Sequence, residues 1–494
     1  ATPLTSETAA DVCVIGGGIA GLTTAYLLLQ AGKTVCVLED GEIGSGESGR
    51  TSAHLSYALD DRYFEIERLL GPHNAHLAAD SHTIAIDTIE WIAEHEDIDC
   101  DLRRVDGYLF VPPGEDASVL ADELAACHRA GLTRVERVAS GPWPTFATGP
   151  CLRFPDQAQF HPLKYLNGLA QAILRKGGQI HTRTHATAIH GGRHPRVEVR
   201  GGHTVTCSSV VVATNVPIND RVVVQTKLEA HRTYLIALSV ECGTVPAALG
   251  WDTSDPYHYL RVVDGPREDL LLIGGEDHKV GHEHAEEERY CALERWARER
   301  FPAAGATAWR WSGQVVETVD CMAYIGRNPL DRNVYIITGD SGNGLTHGTI
   351  GGLLITDLVL GRDNQWEELY RPNRKTLRAA GEYAKHNAGV AGQYASWVTG
   401  GEVTEPEQVA PGCGAVIRRG AHKIAVYHDV DGSIHECSAV CPHLHAIVTW
   451  NDVEKSWDCP AHGSRFDRFG TVVNGPANHN LVALQPDAAE SPQT

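Results

Sequence analysis

The chain has 494 residues, too many for one ordinary domain and enough for two or three. It carries 63 acidic against 42 basic residues, a formal net charge of -21. That balance argues against nucleic acid or anionic lipid as a main partner, because phosphates need clustered Lys and Arg. The 13 cysteines are odd in number and scattered, unlike a secreted disulfide framework, so a reducing, cytoplasmic setting is expected. No 18-residue apolar run is present, and the start ATPLTSETAA lacks a charged stretch followed by an apolar one, so neither a membrane span nor a signal peptide is expected.

The first predicted element is a short buried strand, Val12 to Ile15. Gly16, Gly18 and Gly21 follow in G-x-G-x-x-G spacing and open an apolar helix that stops near Gly32. A second strand, Thr34 to Leu38, ends at Glu39. Gly16 makes the tight turn, Gly18 lets backbone approach a pyrophosphate, and Gly21 lets helix and strand pack closely. The helix N-terminus meets phosphate charge. Glu39 stands 18 residues after Gly21, near the roughly 20 expected of an acid that holds ribose hydroxyls. A second match to the spacing, GSGESG at 44 to 49, has no strand before it and reads as a loop.

Residues 60 to 97 show helical periodicity, through Tyr63, Ile66, Leu69, Ile86, Ile89 and Ile92. A strand pair is predicted around Leu102 and Tyr108 to Val111, a helix over Asp116 to Ala130, and a turn region at Pro142 to Pro150. Pro162 to Lys176 reads as a helix with proline at its start and Gly177-Gly178 at its end. Strands are expected over Ile180 to Thr187, Val197 to Arg200 and Val210 to Ala213, and a helix over His284 to Arg300. The strand Val334 to Ile337 leads into TGDSGNGLTHGTI and a helix, Gly351 to Leu360, closed by Gly361. This second glycine turn presents a helix N-terminus with little side chain in the way, suited to an anionic group or to close packing.

Taken together, VIGGGIAGLTTAYLL, the loop GESGRTSAHLS, the strand VVVATN, WSGQ and TGDSGNGLT resemble the FAD-dependent amine and D-amino-acid oxidoreductase family over roughly residues 10 to 380. FPDQAQFHPLKYLNGLA resembles members of that family with a C-terminal Rieske domain. The resemblance implies an α/β Rossmann-like FAD-binding domain (1–55, 151–215 and 317–380) and an α+β substrate domain (56–150 and 216–316) whose sheet roofs the flavin ring. It implies FAD contacts from Gly16, Gly18, Gly21, Glu39, Arg50, Thr51, Ser52, Ala186, Thr214, Gly342, Gly344, Leu345 and Thr346. Candidates to face the ring are His258, Tyr259, Arg261, Arg232 and Tyr234, with His231, Tyr257 and His278 beside them. An Arg among them would pair a substrate carboxylate by two parallel hydrogen bonds. Some relatives attach FAD covalently, but His54 and Cys321 fall out of register with those positions and are expected to be ordinary pocket or core residues.

Residues 381 to 412 are rich in Gly, Ala and Pro, and 381–400 reads as a linker. A small all-β module is predicted over 401–485, with strands at Ala415 to Arg418, Lys423 to His428 and Ile434 to Cys437, and a tail over 486–494. The module holds Cys441-x-His443, then 15 residues, then Cys459-x-x-His462. Two Cys and two His suit a closed zinc site or a Rieske [2Fe–2S] centre. Alternation of Cys and His within each loop favours two irons, since each loop then gives one ligand to each iron. Pro460, Gly463 and Ser464 follow the Rieske pattern C-P-x-H-G-S, and Gly475-Pro476 resembles the third loop that covers the cluster.

The Rieske resemblance also marks departures. Ala446 and Ala461 stand where many Rieske proteins have a disulfide-bonded cysteine pair, so packing must hold the loops, with Trp450 and Trp457 as candidates. His445 stands where glycine is usual, and its spacing excludes it as a ligand. Phe466 replaces a tyrosine that donates a hydrogen bond in high-potential members, which predicts a lowered potential within the roughly -150 to +300 mV Rieske range.

The expected function is a dehydrogenase that oxidises a small amine or amino-acid-like substrate and passes electrons singly from FAD through the cluster to an external acceptor, a protein or quinone. The alternatives are electron flow from cluster to FAD, for reduction or oxygen activation, and a flavin monooxygenase. A Rieske terminal oxygenase needs a mononuclear iron site, and Asp255-x-x-His258 lacks the second His at Val263.

Overall fold

The computed structural model describes residues 2–219, 224–282 and 286–484, which divide into two compact units. The first unit comprises residues 1–219, 232–277 and 288–380; the second comprises 220–231, 278–287 and 381–494.

The first unit is built on a six-stranded sheet in the order Tyr324–Arg327, Val334–Thr338, Ser209–Val212, Val12–Ile15, Val35–Leu38, Gln179–His181. Its strands run parallel except the edge strand Tyr324–Arg327. Val12–Ile15, Val35–Leu38 and Ser209–Val212 are buried at every residue, as strands covered on both faces must be. The first helix, Ile19–Gln30, is apolar almost all round because a second helix, Gly344–Leu360, lies against it. Gly348 and Gly352 permit that approach: a Cβ at Gly352 would lie 2.7 Å from Thr23 Cγ2 and 3.0 Å from the Thr24 nitrogen.

A nine-stranded mixed sheet follows the order Thr307–Thr318, Leu228–Val240, Asp269–Lys279, His258–Val263, Leu249–Asp252, Arg103–Phe110, Cys151–Gln159, His54–Leu55, with Glu136–Val138 also paired to Cys151–Gln159. Four short strands, Thr8–Ala9, Thr204–Thr206, Arg196–Val199 and Ala186–His190, make a third sheet.

Several boundaries differ from expectation for local reasons. The periodic stretch 60–97 is two helices, Tyr63–Leu70 and Pro72–His95, broken where Gly71 has φ +88° and a proline follows. The predicted strand Ile180 to Thr187 is two, Gln179–His181 and Ala186–His190, which enter different sheets across a turn in which Arg183 has φ +50°. The expected pair near Leu102 and Tyr108 is one strand, Arg103–Phe110. The helix predicted from Gly351 begins a full seven residues earlier, at Gly344, so the glycine turn itself enters the first helical turn. The helix expected from His284 is described from Glu286 to Arg300; residues 284 and 285, like the tail 486–494, lie outside the described residues.

The second unit holds a three-stranded sheet, Cys413–Arg419, His422–His428 and Ile434–Ser438, and a four-stranded one, Thr449–Asn451, Ser456–Asp458, Arg465–Asp467 and Val472–Asn474, all neighbours antiparallel. The segment read as linker is not extended: Ala380–Gln393 is a helix and Tyr394–Trp397 a 3-10 turn. Its alanines favour helix despite three interior glycines, a propensity that periodicity alone hid. Among the described residues, no helix is long and apolar enough to cross a membrane.

Candidate redox and substrate sites

The first glycine turn is built as its spacing predicts. Gly16 has φ +114°, and a Cβ there would lie 2.3 Å from the Ala213 carbonyl oxygen; a Cβ at Gly21 would strike the Gly16 oxygen. Gly18 ends the turn as N-cap of the first helix without a side-chain cap of its own, while Ser48 Oγ accepts the Ile19 N–H at 3.1 Å. Glu39 sits directly beside the turn, accepting the Gly17 N–H at 2.5 Å and the Gly41 N–H at 2.8 Å. Burial raises its carboxyl above the usual range against these two bonds.

The loop after it is tied inward. Arg50 donates to the Ser312 carbonyl at 3.3 Å, Thr51 Oγ1 accepts the Ala53 N–H at 3.1 Å, and Ser52 Oγ meets His54 Nδ1 at 2.9 Å. Thr214 donates to the Val216 carbonyl at 2.7 Å, and Ala186 is buried at the start of its strand. At the second turn, Gly342 has φ +78° and packs against the Asp60 carboxylate, and Gly344 packs against that of Asp340. Leu345 and Thr346 are buried in the first turn of the helix. His82 fixes that turn from the helix Pro72–His95, bonding Thr346 Oγ1 at 2.8 Å and His347 Nε2 at 3.2 Å. The helix start has no side-chain cap and no acid in its first turn, so its N–H groups remain for an anionic group. The residues present therefore fit FAD: a carboxylate for ribose, two helix starts, and glycines where backbone must come close.

The strand His258–Val263 sorts the substrate-site candidates by alternation. His258 takes one face. Its Nδ1 bonds Asp252 Oδ2 at 2.9 Å, its Nε2 faces Glu276 Oε1 at 3.3 Å, and its ring stacks on Trp296. Both nitrogens are thus used; burial alone would lower its pKa, but the two carboxylates raise it overall. Tyr259 and Arg261 take the other face. The Tyr259 ring stands edge-on to His54, and its hydroxyl meets Thr233 Oγ1 at 3.1 Å. Arg261 donates to the carbonyls of Ala53 at 3.3 Å and Phe160 at 3.2 Å, and burial, then Arg103, pulls it down to about 9. Arg232 donates to Ser312 Oγ at 2.5 Å, and Tyr234 packs edge-on against Tyr290. His231 and His278 belong to the second unit. His231 there bonds Glu229 at 2.8 Å, and His278 Nδ1 meets the Lys279 carbonyl at 2.9 Å.

The structure adds residues that sequence reading missed. Asp60 accepts from the Tyr257 hydroxyl at 3.5 Å and packs on Gly342. Burial, partly offset by Arg62 and reinforced by Glu317, pushes Asp60 up to about 6. Burial, then Glu317 and Asp60, pushes Asp61 up to about 8. Asp340 accepts the Val316 N–H at 3.1 Å and is pushed up to about 7, chiefly by burial. The available signal was the acidic pair in ALDDRY, directly after the flavin loop, which helical periodicity absorbed as a helix start.

In the second unit, Cys441, His443, Cys459 and His462 are all buried and converge. The two imidazole rings lie 5.1 Å apart at 86°. Cys441 and Cys459 share a hydrogen bond. That bond, with N–H groups of His443 and Leu444 and the Ser464 side chain, holds Cys441 below the usual thiol range and, with burial, pushes Cys459 up. Burial, then His386, lowers His462 to about 4, so its ring is neutral. Paired soft sulfurs beside a neutral imidazole suit a cluster with two irons ligated by Cys₂ and His₂. Each ligand loop closes on itself: Cys441 N–H to Ala446 O at 2.9 Å, and Cys459 N–H to Ser464 O at 2.8 Å. The Gly475-Pro476 segment joins in through the Ala477 N–H to Ser464 Oγ at 3.0 Å. Trp450 and Trp457 pack against each other, 4.8 Å apart, in the same core as both cysteines, but their indole N–H groups bond Asp452 and the Arg468 carbonyl, outside the ligand loops.

Comparison with known proteins agrees with both halves. The FAD dependent oxidoreductase family model matches residues 11–358, and the Rieske [2Fe-2S] domain model matches 400–485. The Rieske 2Fe-2S iron-sulfur protein YhfW of Bacillus subtilis (strain 168) is 31% identical over 493 residues, 98% of this chain and 95% of that one. Gamma-glutamylputrescine oxidoreductase of Escherichia coli (strain K12) is 28% identical over 400 residues, 74% of this chain and 89% of that one. Glycine oxidase of Geobacillus kaustophilus has the same fold, with TM-score 0.64 at 20% identity over 74% of this chain and 99% of that chain. The chain belongs to the FAD-dependent oxidoreductase family and carries a Rieske domain, an oxidoreductase whose cofactors are FAD and a [2Fe–2S] cluster.

Proposed function

We propose that the substrate is a cationic amine and that the enzyme works as a dehydrogenase. FAD accepts two electrons from a C–H beside nitrogen and a [2Fe–2S] cluster exchanges electrons singly, so the pair suits delivery to a one-electron acceptor, a protein or quinone. The observation that carries the amine reading is the acidic pair Asp60 and Asp61, with the Tyr257 hydroxyl bonded to Asp60. Asp60 and Asp61 are enclosed with Glu317 close enough to raise both, an arrangement that an ammonium group relieves. Arg261 gives one nitrogen, Nη1, to the backbone carbonyls of Ala53 and Phe160, while its buried Nε has no hydrogen-bond partner among the described residues. The relative that acts on gamma-glutamylputrescine, an amine, points the same way as the acidic pair.

In this reading Asp60 and Asp61 attract and orient the ammonium group. Asp61, pushed up to about 8, is matched to take its proton near neutral pH, which an amine must lose before it can give up hydride. Tyr257, bonded to Asp60, holds that carboxylate toward the site, and Tyr259 with His54 walls it. The FAD contacts and the four cluster ligands are those set out above, and the protein is expected to work in the cytoplasm. The test is anaerobic bleaching of the flavin by a panel of primary amines, diamines, amino acids and hydroxy acids. Amines should bleach it; bleaching by amino acids with inert amines would sink this assignment.

A further inference from the structure

The two ligand loops lack the cysteine pair that would staple them, since Ala446 and Ala461 stand there. They are instead gripped from outside the matched Rieske span 400–485. In the first loop, the carbonyls of Leu444 and His445 follow ligand His443 directly. Leu444 O accepts the Tyr394 hydroxyl at 2.6 Å, and His445 O accepts the Trp397 indole N–H at 2.9 Å. His445 has φ +62°, a conformation that favours glycine, so this bend needs external support.

The supporting segment is itself anchored. In the helix Ala380–Gln393, Asn387 donates to the Thr226 carbonyl at 2.9 Å, and His386 Nδ1 bonds Glu229 Oε2 at 2.8 Å. Glu229 also receives His231 and Lys279, and these bonds outweigh burial to hold it far below the usual carboxylate range. Val390 and Trp397 pack on the core that contains Cys441 and Cys459. The second loop is met by another outside segment. His282 Nε2–H donates to the Pro460 carbonyl at 3.3 Å, and Gly281, at φ +73°, packs so closely that a Cβ would lie 2.9 Å from the Pro460 nitrogen.

We propose that Tyr394 and Trp397, with Gly281 and His282, are part of the cluster site and take the mechanical place of the missing disulfide. On this view residues 380–397 are a clamp and not a tether. The proposal rests on Cys441, His443, Cys459 and His462 being the ligands.

The full-length holoprotein is challenged with an iron chelator, and cluster loss is followed by visible absorbance. Tyr394→Phe/Trp397→Phe removes both donors and keeps an aromatic ring at each position, a phenyl in place of the larger indole at 397. It should lose iron about tenfold faster, the weight of two modest hydrogen bonds, and shift the EPR spectrum of the reduced cluster. Tyr383→Phe in the same helix should do neither, although it removes the bond to Thr226. Gly281→Val should act like the double variant. Adding Ala446→Cys and Ala461→Cys to the double variant should restore slow iron loss under oxidising conditions and lose that rescue in reductant. Wild-type loss rates and spectra in the double variant, or a formed disulfide that fails to rescue it, would overturn the clamp. A wild-type protein that holds no reducible two-iron cluster overturns the ligand assignment first, and the clamp with it.

Discussion

Two single residues carry testable electrostatics. Because Asp60 and Asp61 are raised to about 6 and about 8, both are largely protonated below pH 6 and charged above pH 8. An ammonium substrate is held by the charged forms, so kcat/KM for a cationic amine should climb as pH rises from 6 to 8. Asp61→Asn should flatten that climb and cost about tenfold to a hundredfold in kcat/KM, the weight of one charge-assisted hydrogen bond; an unchanged profile would remove Asp61 from substrate binding. At the cluster, Phe466 is fully buried where a hydroxyl donor would stand in high-potential relatives. One hydrogen bond is worth about 1 kcal/mol, and a tenfold change for one electron is 59 mV. Phe466→Tyr should therefore raise the midpoint potential by roughly 40 mV if its hydroxyl reaches a cluster sulfur, and a redox titration of the variant decides it.

At the scale of elements, the two helices that begin at glycine turns depend on each other. Gly352 meets Thr23 and Thr24, and Gly348 meets Ile19 and Ala20. Gly352→Val should force them apart, destabilise the protein by about 2 kcal/mol and lower the ratio of flavin to protein absorbance after purification; a stable variant with full flavin would show that the contact is slack. The first of these helices was readable from spacing alone, since strand, glycines, helix and Glu39 stand in one contiguous run. The second was misplaced by seven residues, because GNGLTHG looks like loop and only burial against the first helix makes it helical. The same limit hid Ala380–Gln393. Its glycines and prolines nearby mimic a tether, and what fixes it are Thr226 and Glu229, more than 150 residues away in sequence. The four proposed cluster ligands stand out in the sequence by spacing; the residues proposed to brace their loops do not, because bracing is long-range.

For the whole molecule, the question is whether amine oxidation and one-electron delivery are separable. The residues proposed to bind amine, Asp60, Asp61 and Tyr257, belong to the first unit, and the four proposed cluster ligands belong to the second. Cys459→Ser removes a proposed ligand at a buried position of the second unit. In the proposed direction of flow, this variant should still bleach its flavin with amine under anaerobic conditions at close to the wild-type rate. It should fail to reduce an added one-electron acceptor such as ferricyanide or a quinone in steady turnover, by at least about a hundredfold, which is the upper range for losing a metal site's support. In the wild type, stopped-flow absorbance should show flavin bleaching before cluster reduction. If an external donor instead reduces the cluster first, and amine bleaches neither centre, electrons run inward and the reductase alternative replaces the dehydrogenase. If Cys459→Ser turns over acceptor as fast as the wild type, the cluster is not on the route from amine to acceptor.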